Sequence, residues 1–345
     1  MRIVHDLEIG LWKEFVARLP QGNIFHTPEM FEVFARTRGY RPTLWAAVEN
    51  ERVLALFPPV TIETMTGWLG KMTARAMCFG SLLCAPTDDA LNALGMLLES
   101  YKRDRRRKLL FTELRNLSSL GSAGTVLDGH GFVHEEHLNY EIDLDRPAEA
   151  IFQAMEPRSR KKIQRALNRG EVTVQPIENK DTLMTFYQLL KKTYRSARVP
   201  LADWSLFEAA FDILVPAGMA RFLLASVHGV PAAASMKLLY KGVIYAWYGG
   251  MDRDYRAYRP NELMTWHSLE WGARSGFRTY DFGGAGRSGD KYGVRDFKSK
   301  FGGRLVNYGR DVCVHKPLLL RMSKAGYHLF RHSGFALKRK PLSDA

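Results

Sequence analysis

Hydrophobic residues recur along the chain at two spacings, which predict alternating helices and strands. Residues 7–19 (LEIGLWKEFVARL) place their apolar side chains on one helical face, and residues 88–108 continue such a spacing over about six helical turns. Residues 44–63 instead predict two strands around a polar turn at 49–52. The order helix, helix, strands, helix, strand appears a second time further on, which predicts a duplicated α/β architecture.

Residues that start or stop regular structure mark out the second copy. A helical pattern is interrupted near Pro157 and ends at Gly170, and a later helix begins at Pro260 and ends at Gly276. We predict an α/β fold with mixed sheets and three segments. These are a first domain at 1–145, a second domain with the active site at 146–312, and a basic amphipathic tail at 313–345.

The composition excludes several classes of protein. Of the 345 residues, 46% are hydrophobic and 25% are charged, which is typical of globular domains and excludes intrinsic disorder. No run approaches the roughly 20 apolar residues of a membrane span, and the first residues lack the apolar segment of a signal peptide. Three cysteines are too few for a disulfide framework. We therefore expect a cytoplasmic protein.

The charge is strongly positive and clustered. Lys and Arg number 50 against 36 Asp and Glu, a net charge of +14, which favours a polyanion such as nucleic acid, anionic lipid or a phosphorylated substrate. The basic runs are 102–108 (KRDRRRK), 158–169 (RSRKKIQRALNR) and the acid-free stretch 312–343. A single run of this kind is usually a solvated helix face. The candidate anion-binding residues are Arg158, Arg160, Lys161, Lys162 and Arg165.

The basic tail allows two interpretations. Its apolar residues favour a helix docked on the first domain over 312–330. Over 331–345 they favour contact with the inner face of an anionic membrane. The stretch 312–343 contains seven Lys or Arg residues, which would be attracted to the anionic lipids.

Residues 281–301 carry the candidate chemistry. Asp281 ends a buried strand, and the glycines that follow at 283, 284 and 286 let the backbone approach a ligand closely. Phe297 and Phe301 lie one helical turn apart, which favours core packing, with substrate contact by Phe297 as the alternative. Lys298 between them is a surface lysine unless it is buried, in which case it requires an anion or hydrogen-bond acceptors.

Taken together, DFGG, a loop and FKSKFGG resemble the C-terminal motif of the FemABX family, the peptidyltransferases that build peptidoglycan interpeptide bridges. The resemblance extends to residues 141–174, with their basic RKKIQRA helix, and to residues 245–284. It covers about 140–310 and is weaker over 1–140. It implies two tandem GNAT-like domains and acyl transfer to an amine, without a tightly bound cofactor.

The resemblance also bears on the substrates. The glycine-rich acyl-CoA loop of ordinary GNAT enzymes is absent, because the matching stretch is Arg256–Asn261. FemABX proteins also lack it and use aminoacyl-tRNA, so we expect that donor, with acyl-CoA as the alternative. Where bridge-forming members carry an acid, this chain has Arg115, a form closer to FemAB-like proteins of exopolysaccharide systems. The acceptor is then a nucleotide- or lipid-linked envelope precursor of either the peptidoglycan or the exopolysaccharide pathway.

Two other hypotheses remain open. The chain could be an acyl-CoA-dependent enzyme that N-acylates an amino sugar of an exopolysaccharide. It could also be a non-catalytic scaffold that binds anionic lipid or nucleic acid.

By the FKxxFGG match, the resemblance implies that Lys298 contacts the oxyanion or a phosphate outside the core. Tyr248 would relay a proton or orient the donor, in preference to Tyr245, since a separation of three residues in a strand points the two to opposite faces. Asp281 is the candidate base or the partner of Lys298. The remaining candidate substrate-binding residues are Tyr245, Asn261, Gly283, Gly284, Arg295 and Phe297. His134 and His137 lack a second pair of ligands, so we predict no metal site.

Overall fold

The computed structural model describes residues 1–63, 74–289 and 293–321, and these contain all elements given below. The helices are α1 (Ile9–Arg18), α2 (Pro28–Arg36), α3 (Asp88–Arg105), α4 (Ser122–Gly129), α5 (Ala148–Gln153), α6 (Pro157–Arg169), α7 (Lys180–Ala197), α8 (Trp204–Leu214), α9 (Pro260–Arg274) and α10 (Gly293–Ser299). Two 3₁₀ turns span Ile24–His26 and Arg253–Tyr258.

The strands of the first half are β1 (Arg2–Val4), β2 (Tyr40–Pro42), β3 (Trp45–Glu49), β4 (Arg52–Phe57), β5 (Val60–Ile62), β6 (Arg75–Phe79), β7 (Leu83–Cys84), β8 (Phe111–Arg115) and β9 (Val133–Glu135). Those of the second half are β10 (Leu138–Asp143), β11 (Val172–Pro176), β12 (Ala220–Val227), β13 (Val230–Tyr240), β14 (Val243–Met251), β15 (Thr279–Gly284), β16 (Arg304–Asn307) and β17 (Arg310–Val314).

The strands form three sheets. Two belong to the first half, in the orders β1-β3-β4-β7 and β2-β5-β6-β8-β17-β9. The third has seven strands in the order β11-β12-β13-β14-β15-β10-β16. Most neighbours are antiparallel, and each half contains one parallel pair bridged by a helix: β6–α3–β8 in the first and β14–α9–β15 in the second. This repeated unit confirms the predicted mixed α/β architecture.

Local signals place several elements where the sequence predicts them. The Thr27 hydroxyl accepts a hydrogen bond from the Met30 N–H at 3.2 Å and so caps α2, whose first residue is Pro28. Gly170 ends α6 at a φ of 65°, in the left-handed region that glycine adopts without strain. The polar turn at 49–52 joins β3 to β4 as an antiparallel hairpin.

Two strands pair with the sheet of the other half of the chain. The sheets therefore do not follow the predicted domain boundaries at residues 145 and 312. Strand β10 pairs with β15 and β16 of the seven-stranded sheet, although it precedes residue 145. Strand β17 inserts between β8 and β9 of a first-half sheet, so residues 310–314 lie within the first domain. The sequence offers no local sign of this exchange, because strand pairing between distant segments depends on tertiary contacts.

The two halves also share one hydrophobic cluster. Phe25 and Phe34 of the first half pack with Phe207 and Met236 of the second in a single buried group. Trp247 on β14 contacts the Phe25 ring edge-on, with centroids 5.6 Å apart. Since both halves contribute to this cluster, it fixes one face of the seven-stranded sheet against the first domain.

No helix in the described ranges has the length and apolar content to cross a bilayer. Most of the predicted tail, residues 322–345, lies outside the described residues, so the interpretation of that stretch as a membrane contact stays a prediction.

A buried carboxylate fixes β17 in its place. The Asp311 side chain is 2% exposed and accepts hydrogen bonds from Asn116 Nδ2 at 2.6 Å and from His134 Nδ1 at 3.0 Å. Asp311→Ala should therefore lower the free energy of unfolding by about 2 kcal/mol, because the buried Asn116 amide loses its carboxylate partner and keeps only the Tyr308 carbonyl. Urea denaturation measures this loss. Val314→Ala, at an exposed position of the same strand, should change the stability by less than about 0.5 kcal/mol. Equal losses in the two variants would contradict the role of Asp311.

Candidate active site

The candidate site lies where β14 and β15 separate. These parallel strands pair only from Val243 to Tyr245 on one side and from Thr279 to Asp281 on the other. Beyond this point β14 runs on to Met251 and β15 to Gly284 without pairing to each other. A gap at the carboxyl ends of parallel strands is where α/β sheets commonly bind ligands. We call this gap the fork, with Tyr245 and Asp281 as its last paired residues.

A β-bulge in β14 decides which side chains face the first domain. Tyr248 pairs with Met236 and Ala246 pairs with Lys237, so Trp247 is an extra residue in the strand. Tyr245 pairs with Leu238, which lies on the same face of β13 as Met236. Tyr245 and Tyr248 therefore point to one face, and the prediction of opposite faces is wrong, because the bulge reverses the alternation between them.

The two tyrosines have different surroundings on that face. Tyr248 packs against the Phe207 ring at 4.8 Å between centroids, within the shared hydrophobic cluster. The Tyr245 hydroxyl lies at the fork, 3.2 Å from where a Cβ on Gly283 would be. Burial raises the pKa of both phenols, so both are neutral near pH 7 and act as hydrogen-bond donors rather than bases. Tyr245 is thus the tyrosine at the fork.

Asp281 is a buried carboxyl with a raised pKa. It is 4% exposed, and its Oδ1 accepts a hydrogen bond from the Gly283 N–H at 2.6 Å. Asn139 Nδ2 lies 3.5 Å from its Oδ2. Burial raises the pKa of Asp281 to about 7, with a contribution from the negative charge of Glu141. Asp281 can therefore exchange a proton at neutral pH.

Lys298 is buried, contrary to the expectation that it lies outside the core. It is 7% exposed, and its Nζ donates to the carbonyl oxygens of Phe282 at 2.7 Å, Gly283 at 3.0 Å and Gly284 at 2.7 Å. Burial lowers its pKa to about 8. All three ammonium hydrogens are thus used by the backbone of β15, so in this structure Lys298 holds the end of that strand in place.

Arg295, one turn earlier on α10, holds the loop that follows β15. Its guanidinium donates to the carbonyl oxygens of Ala285 at 2.8 Å, Ser288 at 3.1 Å and Arg287. We call Lys298 and Arg295 the backbone clamp, because together they bind six of the seven carbonyls of residues 282–288. The predicted substrate contact of Arg295 is thus replaced here by contacts to its own chain.

The other predicted site residues are placed as follows. Phe297 packs against Phe301, with ring centroids 5.3 Å apart, in the core beneath α10, which favours its core interpretation over substrate contact. Gly283 has a φ of 69°, a conformation that L side chains rarely adopt, and Gly284 lies against the His137 ring. Asn261 is partly buried in the first turn of α9, and its carbonyl accepts from the Thr265 hydroxyl at 2.8 Å.

Helix α6 carries the predicted cationic residues, four of them on one face. Arg158, Lys161, Lys162 and Arg165 follow the i, i+3, i+4, i+7 spacing and are exposed, while Ile163 is buried on the opposite side. No ion pair of these four occurs within the described ranges. Arg160 instead donates to the Gln153 carbonyl at 2.5 Å. We call the four the α6 stripe. The helix begins beside α10, since the Glu156 N–H donates to the Lys300 carbonyl at 3.0 Å.

A charged network from the first domain adjoins the fork. Arg310 on β17 donates to Glu113 at 3.1 Å and to His137 Nε2 at 2.8 Å, and Arg115 also pairs with Glu113 at 2.8 Å. Glu113, His137 and Arg310, with Gly286, line part of a cavity of about 350 Å³. Arg310 carries no sequence signal of a site residue, because only the crossing of β17 brings it beside the fork. His137, which the sequence offers only as half of an incomplete metal pair, reaches Gly284 because β10 pairs with β15.

The network has fixed protonation states near neutral pH. Burial opposes ionisation of Glu113, but Arg115 and Arg310 outweigh it and keep the pKa of Glu113 below its usual value. Burial, together with the positive charge of Arg310, lowers the pKa of His137 to about 4. His137 is therefore neutral and accepts the Arg310 hydrogen bond through Nε2, since a guanidinium only donates.

Comparisons with known proteins agree with this geometry. Residues 156–299 match the Acetyltransferase (GNAT) domain family. A lipid II:glycine glycyltransferase of Staphylococcus haemolyticus is 23% identical over 245 residues, 51% of this chain and 58% of the relative. One of Staphylococcus saprophyticus is 23% identical over 261 residues, 55% of this chain and 61% of the relative. The chain thus spans about three fifths of the length of these relatives.

Two solved structures show the same fold over nearly the whole chain. FemX has a TM-score of 0.72 at 18% identity, covering 93% of this chain and 99% of FemX. A tandem GNAT protein from the clavulanic acid biosynthesis pathway has a TM-score of 0.58 at 12% identity, covering 91% and 98%. The predicted tandem GNAT fold and the resemblance to the FemABX family are confirmed.

The backbone clamp predicts a stability effect that an exposed catalytic lysine would not have. Lys298→Met should lower the free energy of unfolding by about 3 kcal/mol, because three buried carbonyl oxygens lose their donor. Lys300→Met, two residues away on the same turn, should cost less than about 0.5 kcal/mol. Denaturant unfolding of both variants measures the difference. An unchanged stability in Lys298→Met would show that the ammonium does not hold β15.

Proposed function

Because residues 156–299 belong to the GNAT acetyltransferase domain family and the whole chain has the fold of FemX, we propose that this protein transfers an acyl group to an amine of a cell-envelope precursor. The observation that carries the proposal is the fork, where Tyr245 and Asp281 are the last paired residues of β14 and β15 and Tyr245 packs against the hydrophobic cluster shared with the first domain. A neutral hydroxyl that donates a hydrogen bond and a carboxyl with a pKa of about 7 are groups that suit acyl transfer.

The proposed reaction uses these two groups in turn. The donor carbonyl lies at the fork, where the Tyr245 hydroxyl donates to the oxygen that becomes negative as the amine attacks. Asp281, as carboxylate, accepts the proton that the amine loses. The new C–N bond forms as the acyl C–O bond breaks, and the departing ester oxygen keeps the bonding electrons and takes up the proton from Asp281 to become a hydroxyl. The backbone clamp keeps β15, and with it Asp281, in position, so Lys298 and Arg295 are positioning residues.

The proposed donor is aminoacyl-tRNA. The α6 stripe is an exposed row of cations about two helical turns long. Such a row can contact successive phosphates of a nucleic-acid backbone. The stretch Arg256–Asn261, where an acyl-CoA loop would lie, forms the end of a 3₁₀ turn and the start of α9 without a glycine. This arrangement favours tRNA over acyl-CoA, the donor of the alternative hypothesis in which an exopolysaccharide amino sugar is N-acylated.

The proposed acceptor is a lipid- or nucleotide-linked envelope precursor that presents an amine. Relatives named lipid II:glycine glycyltransferases support a precursor of this class. Three carboxylates line the cavity beside the fork, and two of them, Glu113 and Glu135, are ion-paired with Arg310 and Arg287. Glu136 forms no ion pair within the described residues, so it is the carboxylate that can attract an ammonium group to this cavity. We propose that the protein meets this precursor at the cytoplasmic face of the membrane.

The pKa values at the fork predict a bell-shaped pH dependence. Transfer from aminoacyl-tRNA should fall below about pH 7, because Asp281 becomes protonated and no longer accepts a proton. Transfer should also fall above about pH 8, where Lys298 loses a proton. The neutral amine has two hydrogens for three carbonyls, so it no longer holds the end of β15, and with it Asp281, as firmly. Asp281→Asn should lower kcat by about 10²-fold or more and remove the acidic limb.

The readout is transfer of labelled amino acids from charged tRNA to a lipid-linked peptide precursor across pH. Asp296→Asn, an exposed carboxylate on α10, is the matched control and should keep both limbs. An acidic limb that persists in Asp281→Asn would exclude Asp281 as the base.

The α6 stripe predicts how binding of tRNA depends on salt. Lys161→Gln with Lys162→Gln should lower the slope of log affinity against log salt concentration by about 1.5, because two phosphate contacts are lost. Arg103→Gln with Arg107→Gln, the same change of charge on the first domain, should leave the slope unchanged. Filter binding over a salt series measures both slopes.

Calorimetry with acetyl-CoA completes this test. We expect no measurable binding, because the chain offers no glycine nest for the pyrophosphate. A micromolar dissociation constant for acetyl-CoA, with equal tRNA slopes in all variants, would favour the acyl-CoA hypothesis instead.

A further inference from the structure

The first domain contains a second and larger cavity, of about 800 Å³, that the proposed reaction does not use. Its wall comes from four parts of the chain: the residue after β1, helix α2, the segment from β2 into β3, and the last turns of α3. Among its lining residues are His5, Phe31, Leu44, Trp45, Arg103 and Arg105.

The lining is apolar on one side and cationic on the other. Trp45 is 3% exposed and packs edge-on against the His5 ring, with centroids 4.2 Å apart, while Phe31 and Leu44 extend the apolar side. The Arg105 guanidinium lies 5.9 Å from the centre of the Trp45 ring. A ligand with both an apolar part and an anionic group would match the two sides.

The cationic side keeps its positive charge. Asp104, the acid of this rim, is ion-paired with Arg105 at 2.8 Å and with Lys108 at 2.7 Å. Arg103 is exposed and forms no ion pair within the described part of the chain. Arg106, Arg107 and Lys108 follow directly and are exposed as well. The rim therefore continues into a cationic surface.

Residues 315–321, which follow β17, lie beside this surface. The Lys316 N–H donates to the Leu110 carbonyl at 3.1 Å, two residues after the basic run ends at Lys108. Leu318, in the helical residues 317–321, is 74% exposed. Exposed apolar side chains among Lys and Arg residues are typical of segments that lie in the interface of a membrane.

We propose that this face of the first domain binds anionic lipid in a bilayer surface. Arg103 and Arg105 receive the lipid phosphate, the apolar side of the cavity takes part of a hydrocarbon chain, and Leu318 enters the interface. We call this set the lipid face. The exposed Leu318 and the apolar lining favour lipid over nucleic acid, which has no hydrocarbon to bury. The inference rests on charge and apolar surface alone and does not depend on the transfer reaction.

Sedimentation of the full chain with phosphatidylcholine vesicles, with and without phosphatidylglycerol, tests the proposal. We expect binding only when the anionic lipid is present, and weaker binding as salt increases. Arg103→Glu with Arg107→Glu should lower the affinity by about 10-fold or more. Arg158→Glu with Arg165→Glu on the α6 stripe carries the same change of charge and should leave lipid binding within about threefold of the wild type.

A second variant distinguishes the contribution of the cavity to lipid binding from that of the charged surface. Ser100→Phe adds an aromatic ring at the cavity wall without changing charge and should lower vesicle affinity several-fold. Retained affinity in this variant would overturn the use of the cavity. A larger loss in the α6 variant than in the α3 variant would overturn the lipid face itself. Inorganic phosphate that competes as well as phosphatidylglycerol vesicles would show a simple anion site and overturn the assignment to lipid.

Discussion

The separation of β14 from β15 is the constraint on which the rest of the site depends. A strand that leaves its neighbour exposes carbonyl oxygens that the ladder would otherwise satisfy, and buried carbonyls are costly to leave unpaired. Here the Lys298 ammonium replaces the lost partner strand with three hydrogen bonds. The cost of burying that charge is reflected in its lowered pKa. The fork is therefore held open by a cation of its own chain.

The two halves depend on each other for this geometry. Strand β10 supplies Asn139 and Glu141 beside Asp281, and β17 carries Arg310 back into the first domain, where it joins Glu113 and His137 next to the fork. The raised pKa of Asp281 follows from its burial, with a contribution from Glu141. A single GNAT-like half would lack either Asp281 or the charged network around Glu113 that adjoins it, which gives a physical reason for the tandem arrangement.

Much of the fold could be predicted from the sequence because its signals are local. Thr27-Pro28, Gly170 and the polar turn at 49–52 each act through neighbouring residues. The bulge at Trp247 could not be predicted, since one extra residue reverses the strand faces without a cue in composition. The burial of Lys298 depends on the carbonyls of β15, and the place of Arg310 depends on the crossing of β17. Lys298 was therefore identified without its partners, and Arg310 was not identified.

Two surfaces on different domains carry part of the net charge of +14. The α6 stripe lies on the second domain, close to the backbone clamp, and the apolar residues of α6, the buried Ile163 and the exposed Leu167, lie on the other side of the helix. The basic end of α3 lies on the first domain next to an apolar cavity and the exposed Leu318. Similar charge with different apolar surroundings selects different polyanions, because hydrocarbon binds only where it can leave water. The two proposals therefore assign a hydrophilic polyanion and an amphiphilic one to separate surfaces of this protein.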